Sequence, residues 1–178
     1  MSTPSEASLT LVLGGVRSGK SDFAESLALR TAKPIFLATA EVFDEELRTR
    51  VERHRQRRGA CWTTVEQPLD IADSVRQHTC AGRALLVDSL GVWVGNLLHA
   101  ERKLDVETQY LLESLATSRG PVIIVSDEVG FGGVSGDALA RKFADQLGEL
   151  NQAVAALAQI VYLVVAGIPT VIKDESTT

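Results

Sequence analysis

The sequence predicts an α/β fold in which a mostly parallel sheet is flanked by helices. Short apolar runs, such as 9–13 and 35–40, alternate with longer amphipathic segments, such as 138–158. This alternation is typical of parallel sheets, because each crossover helix returns the chain to the same end of the next strand. The 178 residues suffice for one domain with a sizeable core, and we expect a single domain over 1–178 with 1–8 as a flexible tail.

The first apolar run leads directly into the sequence GGVRSGKS, which fits the pattern G-x-x-x-x-G-K-[ST]. In such a glycine-rich turn the backbone N–H groups converge on phosphate, the lysine reaches the β- and γ-phosphates, and the hydroxyl binds Mg²⁺. The sequence therefore predicts a P-loop that binds a nucleoside triphosphate, in a P-loop NTPase. The predicted nucleotide-binding residues here are Gly14, Gly15, Val16, Arg17, Ser18, Gly19, Lys20 and Ser21, with Ser21 also on the metal.

A second candidate metal ligand is Asp88, which lies near the end of a buried strand predicted over 84–89. In a P-loop protein a carboxylate at the end of such a strand holds the Mg²⁺ and its water. The alternative is an aspartate that caps the next helix. We favour the metal role because a P-loop precedes it. The next segment, 90–98, is too apolar for an open surface and predicts either a core helix or a subunit contact.

The remaining elements follow from periodicity and from proline and glycine positions. Thr39 and Ala40 should emerge at the carboxyl end of the strand at 35–40, where open sheets bind ligands. The glycine-containing turn at 131–133 is a candidate ligand loop. Further strands are predicted at 61–66, 121–126 and 160–166, and further helices after the P-loop and at 69–77, 104–118 and 138–158. The last strand is followed by Gly167-Ile168-Pro169 and a short tail.

The segment 41–58 predicts a helix with one narrow apolar stripe, and His54 lies close to that stripe. Six of the 18 basic residues of the chain fall within 48–58. One interpretation is a solvated helix face with internal ion pairs, since glutamates are interspersed. The other is a phosphate-binding helix, because arginine binds phosphate oxygens bidentately. The arginines are Arg48, Arg50, Arg53, Arg55, Arg57 and Arg58.

The composition argues against nucleic acid, membranes and structural zinc as partners of this chain. The net charge is −5, so no overall positive field favours nucleic acid. No apolar run is long enough to span a bilayer, and the polar first residues do not resemble a signal peptide. Cys61 and Cys80 are too few for a disulfide scaffold or a zinc site. We therefore expect a cytoplasmic protein that acts on small molecules.

Taken in order, these segments resemble the bifunctional adenosylcobinamide kinase/adenosylcobinamide-phosphate guanylyltransferase family of cobalamin biosynthesis. The resemblance extends from Leu9 to Lys173 and implies a RecA-like P-loop NTPase fold. Its most specific marks are the P-loop at 14–21, Ala38-Thr39-Ala40, the segment 50–55 with Trp62 and Glu66, Asp127-Glu128-Val129-Gly130, and Asn151-Gln152 ahead of 164–169.

The resemblance implies two reactions with ATP, GTP, adenosylcobinamide and its phosphate as substrates, and Mg²⁺ as cofactor. ATP or GTP phosphorylates the aminopropanol hydroxyl of adenosylcobinamide. GMP then passes from GTP to that phosphate through a covalent GMP–histidine, which the resemblance places at His54 in this chain. It also implies a homotrimer, and it favours the phosphate-binding interpretation of the arginine-rich helix. The implied catalytic residues are His54 and Lys20, and the implied nucleotide-site residues beyond the P-loop are Ala38, Thr39, Ala40, Arg55, Gln56, Arg57, Arg58, Glu66 and Asp88.

Two residues depart from the family pattern, and two other functions compete with it. Asp127 stands where relatives usually carry Asn, and Ser135 stands near a position that is often Pro. Both lie in the expected substrate loop. The alternatives are a single-activity small-molecule kinase, in which His54 is only a surface residue, and a RecA-like ATPase module that couples hydrolysis to a partner.

Overall fold

The structure, a computed structural model, describes residues 7–40 and 61–175. Over these ranges the chain forms a seven-stranded sheet with helices packed on it. The strands are β1 (Leu9–Gly14), β2 (Ile35–Ala38), β3 (Thr63–Glu66), β4 (Leu85–Asp88), β5 (Val122–Asp127), β6 (Ile160–Val165) and β7 (Ile168–Asp174). The helices are α1 (Lys20–Ala28), α2 (Ile71–His78), α3 (Leu90–His99), α4 (Leu104–Ala116) and α5 (Ala138–Leu157).

The sheet has the strand order β3-β2-β4-β5-β1-β6-β7. All neighbours run parallel except β6 and β7, which are antiparallel. The prediction of an α/β fold with a mostly parallel sheet is therefore confirmed. β5 separates the strand that precedes the P-loop from β4, so the ends of β1, β5 and β4 lie side by side at one edge.

Alternating residues of the strands build two cores, one on each face of the sheet. Leu11 and Ile124 pack with α2, α3, α4 and α5, whereas Val12 and Val125 pack with α1. All four side chains are at or near complete burial. Because both faces of the central strands are covered, these strands are continuously apolar, which is why their sequence signal is strong.

Helix α3 belongs to the larger core. Trp93 is completely buried, and its indole Nε1–H donates to the carbonyl of Leu69 at 2.7 Å. Leu90, Val94 and Leu97 are also fully buried. Of the two interpretations of segment 90–98, the core helix is therefore correct, since its apolar face is already covered within the chain.

The prediction that only 167–169 and a short tail follow the last strand is wrong, because Ile168–Asp174 forms β7. Ala166 and Gly167 both have positive φ angles, 51° and 80°, in a two-residue turn of the type that joins antiparallel strands. Pro169 and the exposed apolar side chains concealed the strand, but proline is tolerated on an edge strand such as β7. Elsewhere the boundaries move by one or two residues; the strand predicted at 61–66, for example, begins at Thr63.

The predicted helix at 41–58 lies outside the described residues. His54, Arg55, Gln56, Arg57 and Arg58 are therefore not placed, and neither is most of the tail predicted at 1–8. Within the described ranges, no helix has the length and apolar character needed to cross a membrane.

Candidate functional site: the P-loop edge of the sheet

The turn between β1 and α1 has the conformation that its glycines allow. The N–H of Ser18 donates to the carbonyl of Gly15 at 3.2 Å, and Gly19 precedes α1 with φ of +90°. An L side chain is strained at that angle, whereas glycine adopts it freely. The turn thereby delivers the start of α1, with its unsatisfied N–H groups, to the carboxyl edge of the sheet, which is a ready anion site.

The turn between β6 and β7 supports the P-loop from behind. The N–H of Gly167 donates to the carbonyl of Ser18 at 2.7 Å. A Cβ placed on Gly19 would lie 3.1 Å from the Cα of Gly167, so the two backbones are close enough to exclude a side chain. The turn between β6 and β7 therefore holds the phosphate-binding turn in place.

Lys20 makes the most informative contact of the site. Its Nζ lies 2.7 Å from Oδ1 of Asp127 and 3.2 Å from the carbonyl of Gly15. The pairing of β1 with β5 explains the contact, because Gly14 and Asp127 are register partners and Lys20 returns over the same edge. The side chains are 13% and 30% exposed, so the ion pair is partly shielded from water. The Asp127 carboxylate therefore pairs with Lys20 as a negatively charged phosphate would.

Asp127 is itself held by neighbours on the opposite side from the P-loop. Its backbone carbonyl accepts a hydrogen bond from Nδ2 of Asn151 at 3.0 Å. Gly91 of α3 leaves room for the carboxylate, since a Cβ there would collide with Oδ2 of Asp127. In the sequence, Asp127 is part of one mark of the family resemblance and departs from the residue usual there. Its contact with Lys20 depends on strand order, which the sequence does not display.

Asp88 ends β4 and is partly buried at the same edge. The alternative role as a helix cap does not apply, because Ser89 is the residue that caps α3 and accepts from the N–H of Val92 at 3.4 Å. Ser21 lies in the first turn of α1, at the start of the helix that follows the P-loop. The oxygen atoms of Asp88 and Ser21 are hard donors of the kind that Mg²⁺ prefers.

Thr39 connects the ends of β2 and β4. It is fully buried, and its hydroxyl lies 2.9 Å from the carbonyl of Ser89 and 3.1 Å from that of Asp88 while accepting from the N–H of Ser89 at 2.8 Å. Asn96 of α3 adds a bond to the carbonyl of Thr39 at 2.7 Å. The Thr39 side chain therefore positions Asp88. The Thr39 hydroxyl makes its hydrogen bonds within the protein.

The other predicted residues at this edge are placed by their strands. Ala38 ends β2 and is the register partner of both Asp88 and Glu66, and Ala40 follows two residues later, partly buried. Glu66 is exposed at the end of β3. The edge thus presents the ends of β3, β2, β4, β5 and β1 in one line, and the P-loop follows β1.

A cleft of about 900 Å³ opens beside this edge, between the segment after β5 and one side of α5; we call it the α5 cleft. Leu13, Glu128 and Asn151 line its inner part, and Val134 and Arg141 line its outer part. Both ends of the segment are tied down. The Glu128 carboxylate accepts from the N–H of Gly130 at 2.6 Å, and Arg141 donates to the carbonyls of Ser135 and Gly136 at 2.9 and 2.8 Å.

The family model described as "Cobinamide kinase / cobinamide phosphate guanyltransferase" matches residues 10–172. The match covers all five described helices and nearly all of the sheet, except the first residue of β1 and the last two of β7. The chain belongs to this family. It is therefore a transferase of cobalamin biosynthesis with cobinamide kinase and cobinamide-phosphate guanylyltransferase activities, as the resemblance predicted, and the alternative of a RecA-like ATPase module is set aside.

Two relatives illustrate the similarity. The bifunctional adenosylcobalamin biosynthesis protein CobP of Pseudomonas aeruginosa is 44% identical over 168 residues, which are 93% of this chain and 97% of that protein. The corresponding protein CobU of Escherichia coli is 34% identical over 180 residues, with 93% of this chain and 99% of that protein covered. The similarity therefore spans nearly the full length of both relatives.

Solved structures support the fold alone. The flagellar accessory protein FlaH of Methanocaldococcus jannaschii superposes with a TM-score of 0.52 at 11% identity, covering 96% of this chain and 80% of that one. A second solved structure, an ATPase domain, gives a TM-score of 0.53 at 11% identity, covering 96% of this chain and 78% of that one. These neighbours confirm the predicted P-loop NTPase fold of RecA-like type.

Proposed function

We propose that the protein phosphorylates the aminopropanol hydroxyl of adenosylcobinamide with ATP or GTP and then transfers GMP from GTP to that phosphate through a GMP adduct of His54. The observation that carries the proposal is the juxtaposition of the P-loop with the α5 cleft. Leu13 lines the cleft, and the P-loop begins at the next residue. A triphosphate on the P-loop and an acceptor in the cleft are therefore neighbours.

In the kinase step, the acceptor hydroxyl oxygen bonds to the γ-phosphorus of the nucleotide. The bond from that phosphorus to its bridging oxygen breaks, the nucleoside diphosphate leaves, and the hydroxyl proton is released to solvent. Phosphoryl transfer of this kind depends on positioning and charge stabilisation more than on covalent chemistry by the protein. Lys20 and the N–H groups at the start of α1 are the described groups suited to that task.

In the guanylyl step, an imidazole nitrogen of His54 attacks the α-phosphorus of GTP, and pyrophosphate leaves. The phosphate of adenosylcobinamide phosphate then attacks the same phosphorus, which yields adenosyl-GDP-cobinamide and frees the histidine. Splitting the transfer into two displacements lowers the barrier of each. Arg55, Arg57 and Arg58, with Gln56 beside them, are proposed to bind phosphate oxygens around this centre.

Mg²⁺ fits the donor set of the nucleotide site. We assign its protein ligands to the Ser21 hydroxyl and, through water, to the Asp88 carboxylate, because these are hard oxygens at the P-loop edge. When bound, the ion neutralises charge on the triphosphate. Thr39 contributes indirectly by holding the end of β4 in place.

The decisive experiment is incubation with GTP labelled at the α-phosphate, followed by a search for an adduct that is labile in acid and stable in base. We expect the wild type to acquire this label and His54→Ala to lose it. His78→Ala is the matched control, since it removes another histidine of the three and should keep the label. If His54→Ala is labelled as strongly as the wild type, the GMP–histidine assignment is wrong. If no variant is labelled while GMP still reaches cobinamide phosphate, transfer without a protein-bound GMP is favoured.

We further propose a cytoplasmic homotrimer. Most of the apolar face of α3 is buried within the chain, so we place the subunit contact on another surface. Val165, Ile168, Val171 and Ile172 of the β6–β7 hairpin are 49% to 68% exposed and form one candidate contact surface. Sedimentation of the purified chain tests the subunit number, and charged substitutions at Ile168 and Ile172 should weaken the assembly if this hairpin is the contact.

A further inference from the structure

The α5 cleft contains a buried polar group that no protein partner satisfies. Asn151 lines the cleft from α5, and the residue is only 9% exposed. Its Nδ2 donates to the carbonyl of Asp127 at 3.0 Å, which fixes the orientation of the carboxamide. Its Oδ1 is buried and has no hydrogen-bond partner among the described residues. Buried acceptors are nearly always paired. Among the unpaired buried atoms of the described residues, Oδ1 of Asn151 belongs to a residue that lines the cleft, so a ligand there can supply the donor.

The position of Asn151 connects this acceptor to the reacting groups. The bond from Asn151 goes to the backbone of Asp127, whose carboxylate holds Lys20 Nζ at 2.7 Å. Only one residue therefore separates the Asn151 carboxamide from the phosphate-binding lysine. A ligand group that reaches Oδ1 therefore binds near Asp127, the residue that contacts Lys20.

The Oδ1 atom of Asn151 requires a hydrogen-bond donor, and the substrate offers one. Cobinamide carries its aminopropanol arm on an amide, and the N–H of this amide lies close along the chain to the hydroxyl that is phosphorylated. We infer that Oδ1 of Asn151 accepts a hydrogen bond from this linking amide N–H and so determines where the acceptor hydroxyl lies. The inference rests on the proposed function of the cleft, and it assigns a substrate-binding residue outside the P-loop.

The rim of the cleft permits such a contact. Oδ1 is shielded from solvent in the free chain, so an incoming N–H must open the wall slightly. Residues 130–136 of the rim are exposed throughout and can yield without disturbing either core. Val134 on this rim is 89% exposed, and it offers an apolar contact to a large macrocyclic ligand at the mouth of the cleft.

The test compares two acceptors in two proteins. One acceptor is cobinamide, and the other is an ester analogue in which oxygen replaces the linking amide N–H and the hydroxyl is retained. The wild type should phosphorylate the ester with kcat/KM lowered about tenfold, since one hydrogen bond to a buried acceptor is lost. Asn151→Ala should use cobinamide about tenfold less well than the wild type and should no longer distinguish amide from ester.

A merely structural role for Asn151 predicts a different pattern. In that case Asn151→Ala lowers activity with both acceptors equally and keeps the preference for the amide, which would overturn the inference. Gln159→Ala is the control for general destabilisation, because Gln159 accepts from the N–H of Leu9 at the other end of the sheet, at 2.7 Å, and should keep the full preference. If the wild type phosphorylates neither acceptor, the proposed function fails first and the inference fails with it.

Discussion

Lys20 and Asp127 form an ion pair of 2.7 Å across the end of the P-loop, in the space where a lysine of this motif meets phosphate. In the nucleotide-free chain, the Lys20 ammonium group is thus already paired with a carboxylate. A triphosphate must therefore displace Asp127 from Lys20 and then remain beside a second negative charge. Asp127 thereby opposes nucleotide binding while it holds Lys20 in one position.

Asp127→Asn should increase nucleotide affinity. An ion pair that is partly exposed is worth about 0.5–1 kcal/mol, so its removal should lower the Kd for a non-hydrolysable ATP analogue roughly two- to fivefold. Titration calorimetry at low salt measures the change, and added salt should reduce it. Asp73→Asn neutralises a carboxylate paired with Arg76 on α2 and should leave the Kd unchanged. An unchanged or weaker affinity in Asp127→Asn would show that Asp127 does not compete with the nucleotide.

Gly91→Ala should reproduce this effect without altering any charge. The added Cβ would collide with Oδ2 of Asp127, and the carboxylate can yield because it is the free end of a side chain. We expect it to move off Lys20 and the affinity for the analogue to rise, with no additional gain in the double variant Gly91→Ala/Asp127→Asn. Gly95→Ala on the same helix is the control, because nothing lies within 4 Å of its added Cβ. Additive gains in the double variant would contradict a shared mechanism.

The sequence was sufficient for the architecture because the central strands carry their own signal. Residues such as Leu86 and Ile124 lie in runs that are apolar on both faces, and the P-loop pattern identifies the turn after β1. β7 was missed because Ile168 and Ile172 are exposed on an edge strand, where alternation is weak. The contacts of Lys20 with Asp127 and of Asp127 with Asn151 depend on which strands become neighbours, and local patterns contain no information on that order.

Gly19→Ala should destabilise the P-loop itself. The residue has φ of +90°, and an added Cβ would lie 3.1 Å from Gly167. A non-glycine residue in this region costs roughly 1–2 kcal/mol, and relaxing the contact should disturb the bond from Gly167 to Ser18. Urea unfolding should show the loss, and nucleotide affinity should fall at least about tenfold. Gly15→Ala, whose Cβ meets nothing within 4 Å, should keep the unfolding free energy of the wild type. Equal stability of the two variants would contradict the argument.

Trp93→Phe tests the assignment of α3 to the core. The substitution leaves the Leu69 carbonyl without its donor and opens a void in a fully buried position, which together should cost about 2–4 kcal/mol of unfolding free energy. Sedimentation should show no change in subunit number, because Trp93 is completely buried within the chain. Val92→Ala, on the 40% exposed side of the same helix, should cost less than about 0.5 kcal/mol. A variant that dissociates without losing monomer stability would indicate an interface instead.

Lys20→Ala asks whether one P-loop serves both reactions. In the kinase step Lys20 should stabilise the γ-phosphoryl group as it is transferred, and in the guanylyl step it should stabilise the β- and γ-phosphates as they leave together as pyrophosphate. Removing a positive charge aimed at developing negative charge typically lowers kcat by roughly a hundredfold or more. We therefore expect both phosphorylation of cobinamide and labelling from α-labelled GTP to fall by that order. Lys173→Ala, which removes an amine that caps α5 through the carbonyls of Ala155 and Ala156, is the charge-matched control and should keep both rates. If Lys20→Ala loses phosphorylation but retains labelling, the GMP transfer from GTP takes place elsewhere, and the P-loop belongs to the kinase alone.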